Sequence, residues 1–145
     1  MATVWEMLRA CKLACVVYVV MCLGGISRGA DDVYAKTLPA IMQVESRGDA
    51  NAVGDGGRAV GPYQIHRGYW TTATRLLGVD WPYSEAVDYQ KAELAVQTYT
   101  RHYAKHYKQP LTPETIARIH NGGPTGWKKK ATLPYWKKVE KVLGM

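Results

Sequence analysis

Cysteine is scarce and confined to one place. The chain has 145 residues and three cysteines, Cys11, Cys15 and Cys22, all within its first 22 residues. Residues 31–145 contain none. That excludes disulfides, thiolate nucleophiles and cysteine-ligated metals from this part of the chain, so its stability must come from packing. Serine is equally sparse. Ser27, Ser46 and Ser84 are the only ones, and none stands near a histidine in a pattern that argues for a nucleophilic triad.

Long hydrophobic runs are missing too. The stretch LACVVYVVMCLGGI, residues 13–26, carries no charge, but it falls short of the roughly 20 residues a membrane-spanning helix needs. Arg9 and Lys12 precede it and small residues follow, as in a secretory signal. Residues 1–27 are therefore expected to be a signal peptide, with cleavage at a position from 27 to 30, and an uncleaved anchor is the alternative. Residues 31–145 form the expected functional domain of a secreted, extracellular protein. Acidic residues are also in deficit. Lys and Arg total 19 against 12 Asp and Glu, a net charge of +7; within residues 31–145 the balance is 16 against 11, a net of +5. A basic secreted domain is attracted to anionic cell surfaces. Lys128, Lys129, Lys130, Lys137, Lys138 and Lys141 concentrate that charge near the C-terminus, although a solvated face explains such a run equally well.

No internal repeat or linker divides residues 31–145, and their pattern is mostly helical. Leu38, Ile41, Met42 and Glu45 share a face at spacings of three and four, with Gly48 as a natural stop. Residues 49–66 are rich in Gly, Asn and Asp and end in the alternation VGPYQI, which predicts turns and a short hairpin. A helix is expected around Tyr69–Leu77, ending at Gly78. A longer one should run from about Ser84 to Tyr107. Thr112-Pro113-Glu114 opens another, which stops at Asn121-Gly122-Gly123-Pro124, and a last helix should cover roughly 134–143. The fold class is α+β, predominantly α-helical, with a small β-hairpin.

Within that pattern one residue is out of place. At about 100° per residue, with Leu38 at zero, Ile41 falls near −60°, Met42 near +40° and Glu45 near −20°. The glutamate is centred on the apolar stripe. It also sits in the last helical turn, where the dipole opposes negative charge. Both circumstances favour a protonated carboxyl, which is what a general acid requires. Swinging out to pair with Arg47 is the bland alternative. Glycoside cleavage usually adds a second carboxylate, and Asp49 and Asp55 lie on the loop just beyond; either is also a natural turn former. Glycines in that loop allow backbone to approach a sugar closely.

The segments ESRG (45–48), VGPYQIHRGYW (60–70), AVQTYTRHYAKHY (95–107) and ARIHNGGPTGW (117–127), with the later pair Tyr135-Trp136, resemble the invertebrate-type lysozymes, or destabilase family. The resemblance covers about residues 36–140, and the Glu45 loop is also similar to goose-type lysozymes and lytic transglycosylases. The resemblance implies a lysozyme-like fold with the hairpin beside an active-site cleft. It makes Glu45 the proton donor, with no metal and no cofactor. It implies glycan contacts from Tyr63, Gln64, Trp70, Asn121 and Gly122, while His120 is either a contact or a structural histidine. The chain departs from the family in three ways. The family's second acid directly precedes a Val-Gly pair, but here Ala52 does, so either Asp55, just after the pair, is the substitute catalytic carboxylate or Glu45 works alone, as in goose-type relatives. The lysine that follows the QI pair in isopeptidase-active members is replaced by His66-Arg67, which speaks against that side activity. The usual disulfides are absent.

The expected function is that of a muramidase cutting the β-1,4 bond between N-acetylmuramic acid and N-acetylglucosamine in bacterial peptidoglycan. Chitin-like glycans are a candidate further partner, no nucleic acid is expected as a partner, and the protein is expected to be a monomer. A lytic transglycosylase is the alternative within enzymes. A non-catalytic cell-wall binder or basic antimicrobial module is the alternative outside them. Other signals are weak. His102 and His106 stand four apart but lack the glutamate of a zinc-protease helix, and GDGG (54–57) lacks the GK[ST] ending of a phosphate loop.

Overall fold

The computed structural model describes residues 28–145; the signal-peptide expectation lies outside the described residues. The chain divides into two compact units between Asp32 and Val33, and the second unit carries the core, the sheet and the cleft. The described residues form five α-helices: α1 Arg28–Ser46, α2 Arg67–Leu77, α3 Tyr89–His106, α4 Pro113–Gly122 and α5 Leu133–Leu143. Between α1 and α2 lie three two-residue strands, β1 Val53–Gly54, β2 Ala59–Val60 and β3 Ile65–His66. Short 3₁₀ turns at Tyr83–Val87, Gly126–Lys128 and Lys130–Thr132 connect the later helices. Among the described residues no helix is long and apolar enough to cross a membrane.

Without disulfides, the core is built from tyrosine, tryptophan, aliphatic and alanine side chains. Tyr34, Leu38 and Ile41 of α1 pack with Ala92, Ala95 and Val96 of α3, Ile116 and Ile119 of α4, and Trp136 and Val139 of α5. The alanines let helices approach closely. Several polar atoms taken into this core are paired: the Tyr34 hydroxyl lies 2.9 Å from Thr100 Oγ1 and donates to the Gln97 carbonyl at 3.1 Å, and Trp70 Nε1 donates to the Trp81 carbonyl at 3.0 Å. Each such bond removes the desolvation cost of a buried polar group. Pro39 lies inside α1 on its exposed side, where the carbonyl that loses its helical partner still reaches water.

The expected helices are present, with bounds that differ for physical reasons. α2 ends at Gly78, which adopts φ 71° as predicted for a glycine stop. α4 starts with Thr112 accepting from the Thr115 N–H, with Pro113 in the first turn. The expected helix from Ser84 is two elements: Asp88 takes an extended conformation and its side chain accepts from the Lys91 N–H, so it caps α3 afresh after the 3₁₀ turn. The hairpin is a three-stranded antiparallel sheet in the order β1-β2-β3, with Val53 opposite Val60 and Ala59 opposite His66.

Gly61 makes the tight return from β2 toward β3. Its φ is +78°, and a Cβ there would stand 2.2 Å from the Ala86 carbonyl oxygen. A Gly61→Ala substitution meets both backbone strain and a clash with main chain. It is expected to lower stability by about 2–4 kcal/mol, measured by urea unfolding; a loss below about 0.5 kcal/mol would contradict this packing.

Candidate active site

The last turn of α1 delivers Glu45 to the rim of a cleft of about 450 Å³. One wall carries Glu45, Tyr69, His120, Asn121 and Gly123; the β-sheet side carries Asp55, Ala59, Gln64 and His66. Glu45 occupies the apolar stripe of α1, as its position on the wheel requires, and its side chain is only 18% exposed. It does not turn out to Arg47. Ser46 fixes the helix end: its Oγ donates to the Pro62 carbonyl at 2.8 Å and accepts from the Gly48 N–H at 3.1 Å. Arg47 and Gly48 follow with φ of 58° and 84°, which turns the chain away and leaves the carboxyl at the cleft.

Two groups converge on a single oxygen of that carboxyl. The Tyr135 hydroxyl donates to Glu45 Oε1 at 2.7 Å, and His120 Nε2 lies 3.4 Å from the same atom. Burial, the Glu45 charge and this hydrogen bond together push the Tyr135 hydroxyl well above the usual tyrosine range, so it stays a donor. Tyr69 closes the group. Its hydroxyl lies 3.3 Å from His120 Nδ1, its ring stacks on Tyr99 with centroids 3.6 Å apart, and burial together with Tyr99, Tyr34 and Glu45 raises it well above the ordinary value.

Asp55 is held differently. It sits in the turn after β1 with φ 51° and is exposed. Arg58 donates from Nη2 to Oδ1 at 2.7 Å, and His66 Nε2 lies 3.2 Å from Oδ2. Both carboxylate oxygens are thus engaged, and the carboxylate is pinned to the sheet side of the cleft. Among the described residues no group of three or more His, Asp or Glu could hold a metal ion.

The other expected contacts divide. Gln64 and Asn121 line the cleft. Gln64, though, spends its amide N–H groups inward, on the Ala52 carbonyl at 3.1 Å and the Gly61 carbonyl at 2.9 Å, so it ties the Asp55 loop together. Tyr63 and Trp70 are placed elsewhere. Each is 2% exposed and belongs to the core; burial and the Glu93 charge raise the Tyr63 hydroxyl, and only its carbonyl reaches toward the site, 3.1 Å from His120 Nε2. The alternation in VGPYQI sends Tyr63 and Ile65 inward together, and the indole of Trp70 is consumed by Trp81. Gly122 is also displaced from the expected role: a Cβ there would meet Thr132 Cγ2 at 2.4 Å, so this glycine serves packing while Gly123 lines the cleft. His120 is buried in the cleft wall, with Nδ1 3.3 Å from the Tyr69 hydroxyl and Nε2 3.1 Å from the Tyr63 carbonyl.

Sequence pattern did not single out Tyr69, His66 or Tyr135 as site residues. Tyr69 and His66 lie inside the VGPYQIHRGYW segment, where cleft-facing and core-facing aromatics look alike. Tyr135 belongs to the Tyr-Trp pair of the family resemblance, but no local pattern joins it to a glutamate 90 residues earlier.

The Destabilase family profile matches residues 34–142. The chain belongs to the Destabilase family. It is 38% identical over 114 residues to a lysozyme of Meretrix lusoria, spanning 77% of this chain and 92% of that protein. It is 39% identical over 89 residues to an invertebrate-type lysozyme of Ruditapes philippinarum, spanning 61% and 64% respectively. Among solved structures, the Tapes japonica lysozyme superposes with a TM-score of 0.65 at 36% identity, covering 74% of this chain and 88% of that one. A Meretrix lusoria lysozyme, solved in complex with Aeromonas hydrophila PliI, gives 0.64 at 39% identity over the same shares. The lysozyme-like α+β fold is thereby shown. Within this Destabilase fold the core assignment of Trp70 has a direct check. Trp70→Phe removes the bond to Trp81 and is expected to lower stability by about 1–3 kcal/mol while leaving KM for a soluble peptidoglycan fragment within twofold; a raised KM at unchanged stability would return Trp70 to the cleft.

Proposed function

We propose that this protein is a lysozyme that hydrolyses the β-1,4 bond between N-acetylmuramic acid and N-acetylglucosamine in peptidoglycan, with Glu45 as the proton donor. The enzyme class follows from membership of the Destabilase family and from relatives that carry the name lysozyme. The residue roles rest on one observation above the others: a glutamate on an apolar helix face, mostly shielded from water, reaching a cleft large enough for sugar rings.

The Glu45 carboxyl gives its proton to the glycosidic oxygen. The bond from that oxygen to the anomeric carbon breaks, its electron pair stays on the leaving oxygen, and positive charge spreads over the ring. Asp55, held at the cleft by Arg58 and His66, supplies negative charge and supports that cation or orients the water that adds to it. The Glu45 carboxylate then takes the water's proton and is restored. Hydrolysis rather than transglycosylation matches the names of the relatives. Asn121, exposed at the end of α4, contributes polar contact to the glycan.

The segment 13–26 makes secretion the fitting localisation, and the exposed lysines 128–130, 137, 138 and 141 give the protein electrostatic attraction to the anionic envelope that holds its substrate. Glu45→Gln is expected to keep the fold and lower lysis of a bacterial wall suspension by about 10²–10⁴-fold; turnover within tenfold of the parent would remove Glu45 as the acid. Asp55→Asn is expected to cost less, about tenfold, because Asp55 is solvated and works at a distance. No loss in that variant would show that Glu45 acts alone.

A further inference from the structure

The contacts around Glu45 distinguish its two oxygens, and they do so through residues outside the reaction as described. His120 Nε2 faces two acceptors, the Tyr63 carbonyl oxygen at 3.1 Å and Glu45 Oε1 at 3.4 Å. A carbonyl oxygen only accepts, so Nε2 carries a hydrogen. The opposite nitrogen, Nδ1, lies 3.3 Å from the Tyr69 hydroxyl. With Nε2 as the donor, the Tyr69 O–H donates to Nδ1 and every polar atom of the group is satisfied. The Tyr63 backbone thus fixes the tautomer, and the stacked pair Tyr69–Tyr99 fixes the ring from the other side. His120 is 3% exposed at its side chain, which leaves water little share in this arrangement.

Tyr135 is the hydrogen-bond donor to that oxygen, at 2.7 Å, while the single N–H of His120 Nε2 is bonded to the Tyr63 carbonyl and lies beside Oε1. Oε1 therefore meets the Tyr135 hydrogen, and an added proton on Oε1 would face it head-on. In the protonated carboxyl the proton is left to Oε2, while Oε1 remains the carbonyl-like acceptor.

We propose that Tyr135, with His120 behind it, is a positioning residue that assigns the catalytic proton of Glu45 to Oε2 and holds that oxygen toward the glycan. This rests on Glu45 being the acid. The same donor then receives the charge. When Oε2 gives its proton to the glycosidic oxygen, the negative charge shared onto Oε1 is already hydrogen-bonded, so the product carboxylate forms without rearrangement of the site. The titratable groups facing the carboxyl come from every packed element: Tyr135 on α5, His120 on α4 and Tyr69 on α2, with Asp55 and His66 on the sheet side of the cleft. Both acidic and basic members are present on the sheet side and paired to each other, so the Tyr135 donor is the contact whose removal changes Glu45 most directly.

Tyr135→Phe tests this, because it keeps the ring and removes only the donor. The expected result is a kcat about tenfold lower, the equivalent of a charge-assisted hydrogen bond of about 1.4 kcal/mol, with KM within twofold. Removing a donor to the carboxylate disfavours the charged form, so the alkaline limb of the pH dependence of kcat/KM moves to higher pH. The same displacement is expected in the carboxyl ¹³C titration of Glu45 in protein carrying labelled glutamate, assigned against Glu45→Gln. That spectroscopic reading is independent of turnover, so it tests the Tyr135 bond even if Glu45→Gln proves to retain lysis. His120→Gln, which keeps an N–H donor, should preserve more activity than His120→Leu at matched stability. An unmoved pH profile and ¹³C titration in Tyr135→Phe would overturn the proposal, as would a loss confined to KM.

Discussion

A general acid has to keep a proton and hold still, and the second requirement threatens the first: most groups able to anchor a carboxyl also ionise it. The hydrogen bond from Tyr135 to Glu45, the proposed acid, meets the second demand with a neutral donor, because a buried phenol fixes the carboxyl without setting a cation beside it. Its geometry depends on the whole fold. Glu45 closes the first described helix and Tyr135 opens the last, so the bond exists only when α1 and α5 have both packed on the α3–α4 core. Stability and site geometry are thereby one problem. Residues 31–145 contain no cysteine, and the aromatic core that holds them together also fastens the proposed acid.

The cleft's sheet side follows a different logic. Where the family carries an acid immediately before the Val-Gly pair, this chain has Ala52, and the carboxylate appears after the pair as Asp55. A shift of that size moves a side chain to another face of a strand. The surrounding residues change with it: Asp55 adopts a left-handed conformation at the strand end, and Arg58 and His66 take its two oxygens. His66 is also the first of the two residues that stand in place of the lysine expected after the QI pair. The replacements fit together, the histidine engaging Asp55, the carboxylate proposed for that role.

Glu45 was legible in the sequence because periodicity is a local property: one helix wheel places a carboxyl on the apolar stripe. Helix stops such as Gly78 and the Thr112 cap were legible for the same reason. Tyr63 and Trp70 were not, since an aromatic beside a cleft and an aromatic in the core have the same local signature, and only three-dimensional packing separates them. The break at Asp88 was hidden by a 3₁₀ turn whose residues share the helical pattern. Tyr135 lay furthest out of reach, since its partner is fixed by the tertiary fold alone.

The most direct test of the account is the crystal structure of the Glu45→Gln variant with a chito-oligosaccharide or peptidoglycan fragment bound. The account predicts sugar rings across the cleft between Asn121 and Asp55, with one glycosidic oxygen about 3 Å from the residue-45 amide and the Tyr135 hydroxyl still bonded to that side chain. A glycan bound elsewhere on the surface, or one whose glycosidic oxygens all face away from residue 45, would contradict it.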